Sequence, residues 1–595
     1  MNALDYAVLL ITLLGIAGYG MWRTRSRRSL DTYLRGARDT GWFTIGIAVM
    51  ATQASATTFL STPGQGYQDG IGFIQNYFGA PLAMIVIAAV FLPIFRRLKV
   101  YTAYEYLGQR FDQKTRLLGA GLFLVQRGIA AGITVYAPAI VLSTVFGWRL
   151  DVTIIASGVL VLLYTAAGGS EAVSLTQKYQ FGVIMIGMIA AFVVLLSKLP
   201  AGFTLHDGFT VAGGFGKLKA VDPTLSLVPR YTLWSGLIGG MFLAMSYFGA
   251  DQSQVQRYLG GSSLRESRLG LMFNAIFKIP LQLFILLLGA FIFVFYQFER
   301  PPVFFNQTAW QSAAEHGAAE KFRPIESAYA AVEVEKQQDV TQWLAAEHAG
   351  DHAAATAAHE AARAAQARAE AIRAKANKAL HAADPRAPAT DTDYVFITFI
   401  LTYLPHGLIG LLVTVFFAAT LNSKAAELNA LASATTVDFY RHIINRRADD
   451  ARCVTASRWF TALWGGIAIG FALTITLAEN LIQYANIIAS IFYPVLLGFF
   501  LVAFFLKHVR GTAVFWGAIG AQAVTIAIFL ARRAHPDFPV SYLWDNVIGC
   551  AACVLFSVLL QALLDMVGTG GPPVRESPSS NVATDGPAGG GSLPS

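Results

Sequence analysis

The chain runs to 595 residues, 55% of them hydrophobic and only 13% Asp, Glu, Lys or Arg, about half the charged share of an ordinary soluble domain. That balance, with a mean hydropathy of +0.51, excludes a disordered chain, a collagen-like fibre and a water-soluble enzyme. Three cysteines (Cys453, Cys550, Cys553) exclude a disulfide-built secreted protein, and the net charge of +8 has no meaning until the basic residues are placed. The class that remains is an all-α polytopic membrane protein.

About 20 apolar residues carry a helix across a hydrocarbon core of about 30 Å. Runs of that kind fall near 4–22, 41–64, 73–95, 117–145, 152–168, 173–197, 231–249, 270–296, 407–438, 456–478, 481–506, 512–531 and 543–566. The expectation is about thirteen transmembrane helices. The first run has Asp5 and no basic residue before it, so it reads as a span and not as a cleaved signal.

Arg23, Arg25, Arg27, Arg28, Arg35 and Arg38 follow that first span. Every second connection repeats the bias: Arg96, Arg97 and Lys99; Arg257, Arg265 and Arg268; Arg441, Arg446, Arg447 and Arg452; Lys507 and Arg510. Basic loops stay in the cytoplasm, which puts the N-terminus outside and, after an odd number of spans, the C-terminus inside. The excess of positive charge is an orientation signal and implies no nucleic-acid partner. The tail from about 568, rich in Gly, Pro and Ser, is expected to be disordered.

One long outer segment, 298–393, is dominated between Ala313 and Ala383 by Ala, Glu, Gln, Lys and Arg, strong helix formers. It reads as an exposed helical insertion. Within it Glu347, His348, Asp351, His352 and His359 have spacings compatible with one helix face, so a surface zinc site stands beside the plainer reading of a solvated face. Cys550 and Cys553 form a C-x-x-C inside an apolar span, where packing is the reading preferred over redox chemistry.

Two spans read badly as continuous apolar helices. The second carries Thr52, Gln53, Ser55, Thr57 and Thr58 at mid-depth, followed by Ser61, Thr62, Pro63 and Gly64. The ninth carries Asn422, Ser423, Lys424, Glu427 and Asn429. Such groups are costly facing lipid and fit a cavity, a helix interface or an ion. Both spans are expected to be interrupted, leaving free carbonyls near the midplane, the way transporters hold a small cation beside its co-substrate. An all-oxygen donor set suits a hard ion such as sodium. No P-loop and no catalytic constellation is found, which argues against an ATP-driven pump and against an enzyme.

Five stretches resemble the sodium:solute symporters, a family that includes bacterial sugar, sialic acid, proline and pantothenate carriers. They are 54–67 (ASATTFLSTPGQGY), 100–111 (VYTAYEYLGQRF), 167–180 (AGGSEAVSLTQKYQ), 249–270 (GADQSQVQRYLGGSSLRESRLG) and 418–441 (AATLNSKAAELNALASATTVDFYR). The similarity spans roughly 3–566. It implies a LeuT-type 5+5 inverted repeat with one helix before and two after, in a bacterial plasma membrane. The divisions are 1–40, the extra N-terminal helix and its cytoplasmic loop; 41–197, core helices one to five; 198–297, an outer loop and core helices six and seven; 298–393, the insertion; 394–506, core helices eight to ten; 507–567, two C-terminal helices; and 568–595, the tail.

Carried over by position, the family's sodium ligands fall on the carbonyls of Ala51, Ala54 and Ala419 and the side-chain oxygens of Asn422 and Ser423. Asn422 departs from the family's usual Ser or Thr. The family's Trp-Thr-Asp element in core helix five reads Leu175, Thr176 and Gln177 here, followed by Lys178, and Lys424 adjoins the presumed ligands. An ammonium about 5 Å from sodium repels it by several kcal/mol at intermediate dielectric. A proton on Lys178 or Lys424 in place of sodium is therefore the rival coupling scheme. For the solute, the matching positions are Gln53, Ser55, Thr57, Thr58, Asn76, Tyr77, Tyr247, Phe248, Lys278 and Asn486, with a sugar-like solute favoured and an organic anion held by Lys278 next. The resemblance implies a small-molecule solute, surrounding lipid and a monomer or weak oligomer. A solute sensor on the same fold is the alternative from another class.

Overall fold

A computed structural model describes residues 1–24, 41–98, 102–385, 387–475, 479–535 and 537–568. Among these the chain is helical, without a strand. The arginines at 25–38, Lys99, most of the tail, and the side chains of Asn422 and Lys178 lie outside the described residues.

Helix α1 (Ala3–Thr24) is followed by α2 (Trp42–Gln53) and α3 (Ala56–Asp69), so the second predicted span is interrupted as expected. A 3-10 stretch at Gly70–Tyr77 leads into a helical run over 80–98 with a π-turn in it. Helix α4 (Gln113–Phe146) begins on Asp112, whose carboxylate accepts the Thr115 N–H. Then comes α5 (Leu150–Ser197), one run of helix that holds two apolar segments, Leu150–Leu163 and Tyr179–Ser197, near the expected spans at 152–168 and 173–197. Gly168 and Gly169 each cost about 1 kcal/mol against alanine in a helix, and that does not end it.

Beyond an outer loop, α6 (Gly240–Ala250) stops at Asp251, whose φ of −81° and ψ of 120° are extended, and α7 (Gln252–Leu259) restarts at once. This interruption was not anticipated. The Asp251 carboxylate accepts the Ser253 N–H at 2.7 Å and its hydroxyl at 2.6 Å, a helix cap at the end of an apolar run. Helix α8 (Leu264–Phe295) follows, capped by Ser263.

The insertion is a helical hairpin, α9 (Ala319–Ala349) and α10 (His352–Ala383), turned at Gly350 with φ +72°. It is less exposed than expected. Trp343 stacks on His359 at 4.3 Å and packs with Val211 and Ala212 of the outer-loop helix Leu205–Gly214. His348 Nε2 lies 2.8 Å from Asp207 Oδ1, and His359 meets the Gly214 carbonyl at 3.0 Å. The proposed zinc face is thus dispersed onto other partners. No group of three metal-ligating side chains occurs among the described residues.

Helix α11 (Leu408–Ala434) then runs unbroken, which overturns the expectation of an interrupted ninth span. Glu427 is met by the Arg127 and Thr134 side chains of α4 and Lys424 by the Ala131 carbonyl there, while the backbone ladder stays closed. Helices α12 (Asp450–Thr474), α13 (Leu481–Phe505), α14 (Gly511–Ala534) and α15 (Tyr542–Met566) complete the chain. Cys550 and Cys553 are buried free thiols in α15.

Two features lock the bundle around the breaks. Helices α3 and α8 meet backbone to backbone: a Cβ on Gly289 would stand 2.0 Å from the Pro63 carbonyl oxygen, and one on Gly66 2.3 Å from that of Leu286. Small residues permit this approach. The basic connections also come together, with Arg96 donating to the Gly261 carbonyl at 3.0 Å, Arg110 to that of Lys507 at 2.9 Å and Arg116 to Asp438 at 2.7 Å. Helix α1 docks through Asp5, which accepts the N–H groups of Gly407 and Gly410 at the start of α11.

Candidate functional site

The break between α2 and α3 redirects two backbone donors. In a continuous helix the Ser55 N–H would bond the Ala51 carbonyl and the Thr58 N–H that of Ala54. Here Ser55 N–H goes to Gln53 at 2.9 Å and Thr58 N–H to Ser55 at 2.9 Å. The carbonyls of Ala51 and Ala54 are thereby released for another partner, in residues that are each 1% exposed. Helix α11 packs on both α2 and α3; Ala419 and Ser423 of that helix are buried, and Ser423 lines the cavity beside the break. Ala419 stays inside an intact helix, where its carbonyl keeps a second lone pair. Carbonyl and hydroxyl oxygens gathered this way fit a hard monovalent cation. Gln177, fully buried, donates to the Thr52 hydroxyl at 3.4 Å on the other side of the same break.

Lys424 does not occupy the junction. Its ammonium donates to the Ala131 carbonyl of α4 and to Glu427 Oε2 at 3.1 Å. Glu427 also accepts Thr134 Oγ1 at 3.0 Å, Arg127 Nη1 at 3.2 Å and Ser423 Oγ at 3.4 Å. Arg127 in turn donates through Nε to Asp251 Oδ2 at 3.0 Å and through Nη2 to the Tyr493 hydroxyl at 2.9 Å, while that hydroxyl donates to Asp251 at 2.5 Å. Two cations and two carboxylates, all buried, make a neutral quartet tying α4, α11, α13 and the break after α6. Geometry of this quality is what a buried charge needs in order to persist.

Beside the break lies a cavity of about 180 Å³. All ten positions matched to the solute line it: Gln53, Ser55, Thr57, Thr58, Asn76, Tyr77, Tyr247, Phe248, Lys278 and Asn486. Ser423 does so too. Tyr247 and Phe248 meet edge to face at 5.0 Å, and the Tyr247 hydroxyl accepts Gln254 Nε2 at 2.7 Å. Gln53 donates to Asn274 Oδ1 at 2.9 Å. Lys278 lies 4.9 Å from the centre of the Tyr77 ring and, among the described residues, makes no ion pair with a carboxylate.

Sequence reasoning missed Arg127, Gln126, Asn274 and Tyr493 in the cavity wall, and Asp251 behind it. A lone arginine in the apolar run 117–145 was a readable signal, since an ionisable group at that depth needs a partner. The partner was not readable, because Asp251 is 124 residues away.

The sequence pattern of the sodium:solute symporter family matches residues 33–312 and 376–520, well over half of the chain. The chain belongs to that family. It is a sodium-coupled transporter and not an enzyme. It is 30% identical over 302 residues to the human (Homo sapiens) sodium/iodide cotransporter, a match covering 50% of this chain and 46% of that protein. It is 25% identical over 544 residues to sodium-coupled monocarboxylate transporter 1 of Xenopus laevis, covering 91% of this chain and 74% of that protein. A solved Na+-coupled sialic acid symporter in a substrate-bound outward-open state superposes with a TM-score of 0.70 at 22% identity, over 94% of this chain and 98% of its own. That likeness shows a shared LeuT-type fold.

Proposed function

We propose that this symporter binds sodium at the junction of α2, α3 and α11, through the carbonyls of Ala51, Ala54 and Ala419 with Asn422 and Ser423, and carries a compact polar solute in the adjoining cavity. The observation that carries this reading is the pair of redirected donors at Ser55 and Thr58, which frees two carbonyls beside a wall of polar side chains. Sodium bridges two elements, α2–α3 and α11, that belong to different repeats. Its binding favours the state in which they touch and shapes the solute site next to it; solute then permits closure and rocking of one bundle on the other. Tyr247 and Phe248 cover the cavity at the break of core helix six, and Gln177 buttresses Thr52. The positive-inside bias supports an outer N-terminus, an inner C-terminus and about thirteen spans in a plasma membrane.

Lys424 does not favour the proton-coupled alternative. Lys424 is engaged by Ala131 and Glu427 and faces α4. The solute is drawn from the sugar-like and anionic classes; two relatives take their names from iodide and from monocarboxylates. The test is accumulation of labelled solute by proteoliposomes under an imposed sodium gradient. Uptake that persists in choline and collapses with a protonophore overturns the sodium reading. Sodium-dependent binding without accumulation favours a sensor.

A further inference from the structure

We infer that the solute is a compact hydroxylated carboxylate whose charge is held by Lys278; this rests on the symport reading and deepens it. The charges in the cavity wall are Arg127, Glu427 and Lys278. Arg127 and Glu427 are consumed by the quartet with Asp251 and Lys424, which is neutral in itself. Lys278 is left over. It is 6% exposed, sits in α8 and has the Tyr77 ring face, at 4.9 Å, as its observed compensation among the described residues. An ammonium taken out of water without a counter-ion is unfavourable, and a cation–π contact offsets a fraction of that. An anion bound in the cavity completes the balance.

A second, independent observation concerns hydrogen bonding. Three cavity-lining side chains carry a buried atom with no partner: Thr57 Oγ1, Asn76 Oδ1 and Gln126 Oε1. Thr57, Asn76 and Gln126 are 4%, 5% and 2% exposed. Two of these atoms are carbonyl acceptors that need a donor, and the third is a hydroxyl that can donate or accept. A neutral sugar supplies hydroxyls to the amides and leaves Lys278 uncompensated. A plain alkyl carboxylate neutralises Lys278 and leaves the Asn76 and Gln126 carbonyls unmet. A carboxylate that also bears hydroxyl groups answers both. Sites built with buried polar groups reject analogues that leave those groups unpaired.

The test uses the full chain in proteoliposomes with an inward sodium gradient and four labelled probes: glucose, acetate, lactate and gluconate. Sodium-driven uptake is expected for a hydroxycarboxylate, lactate or gluconate according to what the cavity admits, ahead of acetate and with glucose excluded. Lys278→Gln should raise its KM about 10- to 100-fold, the loss expected for one charge-assisted hydrogen bond, and Lys278→Arg should recover most of that. Because Lys278→Gln can impair assembly, thermal stabilisation of the detergent-purified protein gives a second readout. Sodium should stabilise wild type and Lys278→Gln alike, whereas the hydroxycarboxylate should stabilise wild type alone. Sodium-driven glucose uptake, unchanged in Lys278→Gln, overturns the inference and leaves symport standing. Absence of any sodium-driven uptake together with absence of sodium stabilisation overturns the symport reading itself.

Discussion

Replacing Lys424 with methionine separates a structural lysine from a coupling one. In the quartet, Arg127 and Lys424 balance Asp251 and Glu427. Lys424→Met removes one positive charge and leaves a buried unit of negative charge beside Ser423. Breaking a buried pair on one side costs about 3–5 kcal/mol. Removing both charges with Lys424→Met and Glu427→Gln restores neutrality, because Arg127 keeps Asp251, and the two changes should be coupled by about 0.5–3 kcal/mol. Thermal melting of purified protein should therefore rank wild type highest, the double variant next and Lys424→Met lowest. Transport should behave differently. The ammonium faces Ala131 and not the carbonyls of Ala51 and Ala54, so Lys424→Met should keep sodium-dependent uptake, with sodium affinity equal or tighter because the residual charge is negative. A variant that melts like wild type but loses its sodium dependence would refute the reasoning and restore Lys424 as the coupling group.

Ser423→Ala should weaken sodium and solute binding together, since linkage between the two sites is reciprocal; paired titrations by scintillation proximity check it. Gly289→Ala should destabilise by about 1–3 kcal/mol or more, because its Cβ meets the Pro63 carbonyl oxygen at 2.0 Å. Gly121→Ala, whose Cβ has nothing within 4 Å, should melt no lower than wild type. At Asp207 burial raises the carboxyl pKa, but the Thr204 N–H and His348 outweigh it and hold it below the usual carboxylate value of 3.8. A depressed carboxyl pKa contributes stability above the ordinary value that is lost as pH falls below it. Hydrogen exchange in Leu205–Gly214, corrected for intrinsic rate, should therefore speed up below about pH 4, and Asp207→Asn should abolish that dependence.

The two misread spans show where sequence stops. The ninth carries more polar groups than the seventh, so polarity alone assigned the break to it. In the fold those polar groups meet Arg127, Thr134 and Ala131 across a helix interface, and the helix stays whole. Just beyond the seventh, given as 231–249, the helix breaks at Asp251, where a local cap competes with the helix ladder and the carboxylate finds Arg127 and Tyr493. A side chain reports that it needs a partner; it does not report which one. The hairpin followed the same rule. Its helices were readable from composition, whereas its docking on Leu205–Gly214 depends on contacts between segments more than 130 residues apart.

Sequence by itself determined that the chain is a membrane-embedded helical bundle, that core helix one is interrupted, and which residues would face a shared cavity. The first two follow from hydropathy and local backbone chemistry, short-range properties of the chain; the third came from the positions that match the family it resembles. Only the tertiary structure decided which buried charges neutralise each other, and so which charge of the cavity wall, Lys278, has no carboxylate partner among the described residues. Electrostatic balance in a low-dielectric interior is set by distances between side chains, and those distances exist only once the helices have packed.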